Sequence, residues 1–270
     1  MAYIEQDVRK LVGKAIHHYD LIHPEDRIAV AVSGGKDSLL LLWLLRERLR
    51  HVPIRYHLVA VHVDMGFQPG TAEPLEAFFR AEGFDYRILR TDYGPQAHSS
   101  KIRENPCFLC ARRRRAALFR EAQSLGCSKL ALAHNQDDFI ETFFINILYG
   151  AQTAAIVPRQ NFFQGAIEVI RPLVLVDSQK VDRMVRRLGL PTVKNPCPSA
   201  QRNARSQIRE FLFKLYRSNR KIRGNIFHAM SQVNLEYLPP PLLQARGSLR
   251  KVGKDTAVKR EGYPEERGQR

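Results

Sequence analysis

The six residues SGGKDS at 33–38 bring two glycines, an ammonium, a carboxylate and two hydroxyls together directly after the apolar run RIAVAV at 27–32. Glycine lets backbone N–H groups approach an anion closely and takes up positive φ without strain. Free N–H groups at the start of a following helix attract phosphate, and Lys36 adds a mobile positive charge. Ser33, Gly34, Gly35, Lys36, Asp37 and Ser38 therefore suit polyphosphate binding. The stretch is not a Walker A loop, which needs glycine where Val30 stands and Ser or Thr where Asp37 stands. A plain strand-to-helix turn capped by Asp37 or Ser38 would use the carboxylate or the hydroxyl, but it requires neither the glycines nor the lysine.

A second constellation is sulfur. NPCFLC at 105–110 spaces Cys107 and Cys110 as C-x-x-C on a loop entering a helix. Two thiolates at that spacing can share a metal or a cluster; the same spacing also serves dithiol redox chemistry, or two small buried residues. Cys197, in NPCPSAQRN at 195–203, follows a proline as Cys107 does, in a polar loop unsuited to packing. Cys127, in LGCSKL at 125–130, reads as a small core residue between a helix and a strand. Three cysteines are too few for a closed four-cysteine zinc site. They suffice for a [4Fe–4S] cluster with one iron lacking a protein ligand.

The third constellation is acidic. AHNQDD at 133–138 places His134, Asn135, Asp137 and Asp138 where a strand gives way to a helix. Asp138 and Glu141 fit a D-x-x-E capping box, and a carboxylate here can also face a nucleotide and Mg²⁺. Asp64 closes the strand pattern HLVAVHVD at 57–64. Turns bearing glycine or aspartate thus follow Val32, Val63 and Ala133.

The elements that must position these groups alternate. The apolar spacing predicts a helix over 3–21, a strand over 27–32 and a helix reaching about Arg50. A strand follows at 57–64, then a helix at 73–83, a strand at 85–90, a helix over 109–125, a strand at 129–133 and a helix over 138–149. Alternating strands and helices imply an α/β fold with a doubly wound parallel sheet, which binds ligands beyond the carboxyl ends of its strands. After Gly150 the pattern changes to a hairpin or extended excursion at 159–173 and helices at 178–188, 204–217 and 221–235. The boundaries read as an N-terminal helix (1–24), the α/β domain (25–175), a helical C-terminal part carrying Cys197 (176–238) and a charged, Pro- and Gly-containing tail (239–270), expected to be flexible.

With 43 Lys and Arg against 27 Asp and Glu the chain carries +16. The excess is not confined to the tail: 101–120 holds seven basic residues and one acid, and 180–223 holds thirteen and two. Two basic regions inside folded sequence suggest a polyanionic partner, such as nucleic acid; solubility alone is the plainer alternative. No apolar run reaches the 18 or so residues of a membrane span and no apolar signal core opens the chain, so the expectation is a cytoplasmic protein.

SGGKDS after a buried strand resembles the PP-loop of the N-type ATP pyrophosphatase superfamily. Together with PCFLCARRRR, AHNQDDFIETFFINILYG, IRPL at 170–173 and SAQRNARSQI at 199–208, it is similar to the tRNA 2-thiocytidine synthetase family, over roughly 5–238. The resemblance implies ATP and Mg²⁺ at residues 33–38, with Asp64, His134 and Asp137 near the nucleotide. It implies a [4Fe–4S] cluster on Cys107, Cys110 and Cys197, and catalytic roles for Lys36, Arg114 and Asp138. Its reaction is adenylation of a pyrimidine C2 oxygen in tRNA, then replacement of that oxygen by sulfur from a donor such as a cysteine desulfurase system. It favours a homodimer. The usual family pattern has a second C-x-x-C where this chain has Cys197 alone. A tRNA 2-thiouridine synthetase, a lysidine-synthetase-like tRNA ligase, a zinc-dependent thiolase using a persulfide and a non-catalytic ATP- and RNA-binding protein remain the alternatives.

Overall fold

The computed structural model describes residues 3–193, 196–199 and 204–238. Met1–Gln232 form one compact unit and Val233–Arg270 a second. In the second, the described residues form a single 3-10 turn, Leu235–Tyr237. The tail expected over 239–270 lies outside the described residues.

In chain order the larger unit contains α1 (Tyr3–His18), β1 (Arg27–Ala31), α2 (Lys36–Arg48), β2 (His57–Asp64), α3 (Glu73–Ala81), β3 (Tyr86–Arg90) and α4 (Tyr93–Ala97). There follow α5 (Pro106–Ser124), β4 (Lys129–Ala131), α6 (Gln136–Gly150), β5 (Arg159–Phe162), β6 (Ile167–Ile170), α7 (Ser178–Leu188), α8 (Ala204–Ser218) and α9 (Lys221–Ala229). The expected alternation holds, and the hairpin forms as β5 and β6. The helix expected over 221–235 stops at Ala229, and the short α4 has no periodic signal of its own.

The sheet runs β3-β2-β1-β4-β6-β5. All its pairs are parallel except β5 with β6. From β1 the chain winds outward first through β2 and β3, then on the other side through β4. The strand order reverses between β1 and β4, where such sheets open a crevice at their carboxyl ends.

One face of the sheet packs against α2. Leu39, Leu40, Leu41, Leu42, Leu44 and Leu45 are all buried, so this helix is apolar nearly all round. Such a helix must be covered on both sides. The sheet takes one side; α1, through Val8 and Val12, and α7, through Val181, Met184 and Val185, join the same cluster and close the other. Each leucine fully buried here contributes about 1.5–3 kcal/mol. Residues 176–188 are therefore part of the α/β core, although their sequence follows the sheet. The opposite face packs Ala29, Val61 and Leu130 against Ala117, Leu118, Phe119 and Ala122 of α5, with Cys127 among them. At the amino ends of the strands Lys129 is buried, but its ammonium meets Asp26 at 3.0 Å and Glu168 at 3.1 Å. A buried charge so compensated is tolerated. Among the described residues no helix is long and apolar enough to cross a membrane.

Candidate active site

A cavity of about 820 Å³ opens at the carboxyl ends of β1, β2, β4 and β6. Ser33, Gly35, Asp37 and Ser38 line it from the first turn, Asp64 from β2, and His134 and Asp138 from the turn after β4. Arg114, Arg115, Arg171 and Arg205 line it as well. The three turns singled out by sequence thus converge at one place.

The first turn is prebuilt. Gly34 has φ +84°, and a Cβ there would lie 3.2 Å from Val193 Cβ. Ser33 N donates to Ser38 Oγ at 3.1 Å, and Ser38 Oγ donates to the Gly35 carbonyl at 2.8 Å. The N-cap of α2 is Gly35, with no side-chain cap bond. The alternative of a plain turn capped by Asp37 or Ser38 does not hold: Ser38 is engaged inside the loop and Asp37 is turned to Asn135. The first-turn N–H groups are left for an anion. Lys36 Nζ lies 3.4 Å from Asp37 and 3.1 Å from Asp182. Such half-exposed pairs are worth about 0–1 kcal/mol, so little holds the ammonium back from a phosphate.

Asn135, not Asp138, caps α6. Its side-chain oxygen accepts from Asp137 N at 2.9 Å and Asp138 N at 3.3 Å, while Asp138 Oδ2 accepts from Asn135 N at 2.9 Å. The D-x-x-E box expected at Asp138 is thus shifted three residues upstream. Asn135 Nδ2 donates to Asp37 Oδ1 at 2.7 Å. One asparagine therefore ties the turn after β1 to the turn after β4 and sets Asp37 and Asp138 on either side of it. Burial pushes the Asp138 carboxyl up, opposed by its bond from Asn135 and by Arg205 and Arg209.

Asp137 departs from expectation. Adjacent helical residues point about 100° apart, and Asp137 turns away from the cavity. Its Oδ2 accepts from Ser178 N at 2.8 Å and its Oδ1 pairs with Arg223 at 3.1 Å. It joins α6 to α7 and α9 instead of facing a nucleotide. Glu141, buried, takes a bidentate pair from Arg209 at 2.6 and 3.0 Å and fastens α8 to α6. Asp64 Oδ1 accepts from Gly66 N at 3.0 Å and Thr71 Oγ1 at 3.2 Å, which shapes the turn after β2.

On the other wall, Asn105 caps α5, accepting from Cys107 N at 3.0 Å and Phe108 N at 3.3 Å, with Pro106 opening the helix. Cys107 therefore sits in the first turn of the helix and Cys110 at the start of the second, not on a loop before it. Spacings of three and seven residues place Cys107, Cys110 and Arg114 on one helix face. Burial pushes the Cys110 thiol up; the neighbouring Cys197 and Cys107 thiols act in the same direction, and Arg114 and Arg113 oppose them. Arg114 is open to solvent through the cavity. Protein crowds its other sides and pushes its guanidinium down, with Cys110 and Cys197 close by. Cys197 thus reaches the same place from the distant loop. Among the described residues no three His, Cys, Asp or Glu side chains are placed to share one metal ion. In an iron–sulfur cubane each thiolate meets its own iron, and an all-thiol set is the donor chemistry such a cluster takes; Cys107, Cys110 and Cys197 fit it. Cys127 is only 3% exposed and lies in the core.

Four arginines in a row divide as helical geometry requires. Arg112 pairs with Glu104 at 3.0 Å and Arg113 lies over the Tyr93 ring. Arg115 lines the cavity with Arg114. Sequence patterning does not single out Arg115, Arg171 or Arg205. A charge directly after the buried strand IEVI would be the signal for Arg171. Arg205 lies one helical turn before Arg209 on the face of α8 that meets α6.

The chain matches the PP-loop domain over residues 3–216. It is 40% identical over 235 residues to a tRNA-cytidine(32) 2-sulfurtransferase of Syntrophotalea carbinolica, covering 86% of this chain and 90% of the relative. It is 38% identical over 235 residues to the protein of the same name from Citrifermentans bemidjiense, with 86% and 92% covered. A solved U34-tRNA thiolase from Methanococcus maripaludis, with its [4Fe–4S] cluster, aligns with a TM-score of 0.71 at 23% identity, over 87% of this chain and 80% of that one. This last likeness is one of fold. A cleft built on SGGKDS, in a chain this similar over most of its length, leaves one assignment: the chain belongs to the PP-loop family and, within it, to the family of the tRNA-cytidine(32) 2-sulfurtransferases.

Proposed function

We propose that this protein uses ATP to activate the C2 oxygen of a cytidine in tRNA and exchanges that oxygen for sulfur. One observation carries the proposal. Arg114 lines the same cavity as the phosphate-binding turn and stands beside the Cys110 and Cys197 thiols. This supports a reading in which ATP and the sulfur chemistry share one cleft.

A pyrimidine C2 oxygen is a poor leaving group, and its adenylate is a good one. Lys36 and the uncapped N–H groups of α2 would take the β- and γ-phosphates and stabilise charge on the departing pyrophosphate. Asp37 and Asp138, set around Asn135, would hold Mg²⁺, which offsets triphosphate charge. Arg114 would steady the activated nucleotide beside the thiols. Cys107, Cys110 and Cys197 would hold a [4Fe–4S] cluster; when bound, it supplies an iron without a protein thiolate, where a sulfur donor is accepted. Oxygen leaves with AMP and sulfur takes its place, so the exchange needs no net oxidation. The donor would be sulfide, or a cysteine desulfurase system together with a thiol reductant that brings its persulfide sulfur to the sulfide level, and we read the tRNA substrate as placing the work in the cytoplasm. We also read the chain as a homodimer, because Leu148 and Tyr149 of α6 and Phe211 and Phe213 of α8 are exposed apolar residues.

The tRNA part is tested by salt. Lys and Arg contacts to phosphate release counterions, so log affinity for tRNA should fall against log salt with a slope of about −0.7 to −0.9 per contact. Titration of fluorescent tRNA at several salt concentrations reads this. An affinity unchanged from low to physiological salt would assign the +16 to solubility instead.

A further inference from the structure

Arg171 directly follows β6 and is 5% exposed. Its Nη1 donates to the Val157 carbonyl at 2.6 Å and its Nε to His134 Nδ1 at 3.3 Å. The remaining donors of the fork belong to a side chain that lines the cavity. Among the described residues no carboxylate pairs with it. Burial, with Arg115 nearby, pushes it down to about 10, so it stays charged at neutral pH.

The contrast with Lys129 is informative. That buried ammonium, at the other end of the strands, has two carboxylates within 3.1 Å. Arg205, in the same cavity as Arg171, is matched by Asp138 at 3.3 Å and Glu141 at 3.6 Å. A buried cation without a countercharge costs several kcal/mol unless something else supplies the charge. Lys129, the other buried cation among the described residues, is paired, whereas Arg171 faces the cleft without a carboxylate.

His134 completes the arrangement. Arg171 Nε can only donate, so Nδ1 of His134 accepts and the neutral ring carries its proton on Nε2. Burial, then Arg171, Arg205, Arg114 and Arg115, push its pKa down to about 3. The ring is therefore a hydrogen-bond donor that does not titrate near neutrality.

The sheet order is β1, β4, β6, so two strand spacings, about 10 Å, separate the phosphate-binding turn from Arg171. An extended arginine covers much of that gap. With pyrophosphate held at that turn, the phosphate next to it would lie between the two. We propose that Arg171 and His134 form a second phosphate site, which holds the nonbridging oxygens of the α-phosphate in ATP and in the adenylated tRNA. The proposal rests on ATP as co-substrate, as argued above. It divides the work: the turn after β1 holds what leaves, and the end of β6 holds what stays.

Binding of ATP, AMP and adenosine to the full chain, measured by calorimetry without tRNA, tests this. Arg171→Gln should weaken AMP and ATP by about tenfold or more, the scale of a hydrogen bond to a charged group, and leave adenosine unchanged. Arg171→Lys should fall between. His134→Leu should weaken AMP, and His134→Gln, which keeps a neutral N–H donor, should recover most of it; this pair decides the matter if Arg171→Gln does not fold. AMP affinity unchanged in Arg171→Gln would overturn the proposal. So would equal losses for AMP and adenosine, which would make Arg171 structural. Nucleotide binding intact with tRNA affinity lost would also overturn it, because the phosphate recognised would then belong to the tRNA backbone. A wild-type chain that binds no ATP would instead remove the broader functional reading before any variant is compared.

Discussion

Lys36→Ala should lower ATP-dependent tRNA modification by about 10²-fold or more, the scale of a lost charge-stabilising donor, while the thermal midpoint moves by only a few degrees. The ammonium is half-exposed, and its partners Asp37 and Asp182 are partly solvated. Pairs of this kind add at most about 1 kcal/mol. Nothing in the leucine-rich body of α2 depends on it. The charge matters when pyrophosphate departs, because Lys36 then stands at a helix N-terminus whose amides are uncapped. Single-turnover assays with labelled ATP, alongside a melting curve, separate the two effects. A variant with wild-type turnover would remove the polyphosphate role from this turn.

The cysteines should divide three to one. Cys107→Ser, Cys110→Ser and Cys197→Ser should each abolish both the broad visible absorbance of the anaerobically reconstituted protein and thiolation of tRNA. ATP binding should survive in all three, since the phosphate-binding turn is built by Ser33, Gly34 and Ser38 on another strand end. Cys127→Ala should keep absorbance and activity, with a packing loss of about 1 kcal/mol, because Cys127 lies in the core beneath α5. Absorbance, iron content and thiolated nucleoside, measured on the same preparations, report on this. Iron retained without Cys197 but lost without Cys127 would reverse the ligand assignment. Stoichiometric zinc and no iron would replace the cluster chemistry by a persulfide route.

Much of the site is legible in the sequence because it is local. SGGKDS, the C-x-x-C pair and the turn after β4 each lie within one short stretch, and strand ends gather such stretches by topology alone. The regular pattern of β2 and the 178–188 helix could be read for the same reason. What is not legible depends on partners far along the chain. Asp137 and Asp138 look alike in sequence; only the capping of α6 by Asn135 turns one toward the cavity and the other toward Arg223. Glu141 looks like half of a capping box until Arg209, 68 residues later, takes both its oxygens. Arg171 looks like one more basic residue in a basic chain, and its significance is that it is buried without a carboxylate. The start of α5 at Pro106 was hidden because C-x-x-C draws attention as a ligand motif, while Asn105 and Pro106 are ordinary helix-start signals.

The central claim is that one cleft couples ATP cleavage to sulfur transfer onto cytidine. The most direct measurement is mass spectrometry of nucleosides digested from tRNA, after incubation with the anaerobically reconstituted protein, ATP, Mg²⁺ and sulfide. The account predicts 2-thiocytidine that depends on both ATP and sulfide, with AMP and pyrophosphate formed in step with it. ATP consumption that yields another modified cytidine, or none, with sulfide present and iron bound, would contradict it.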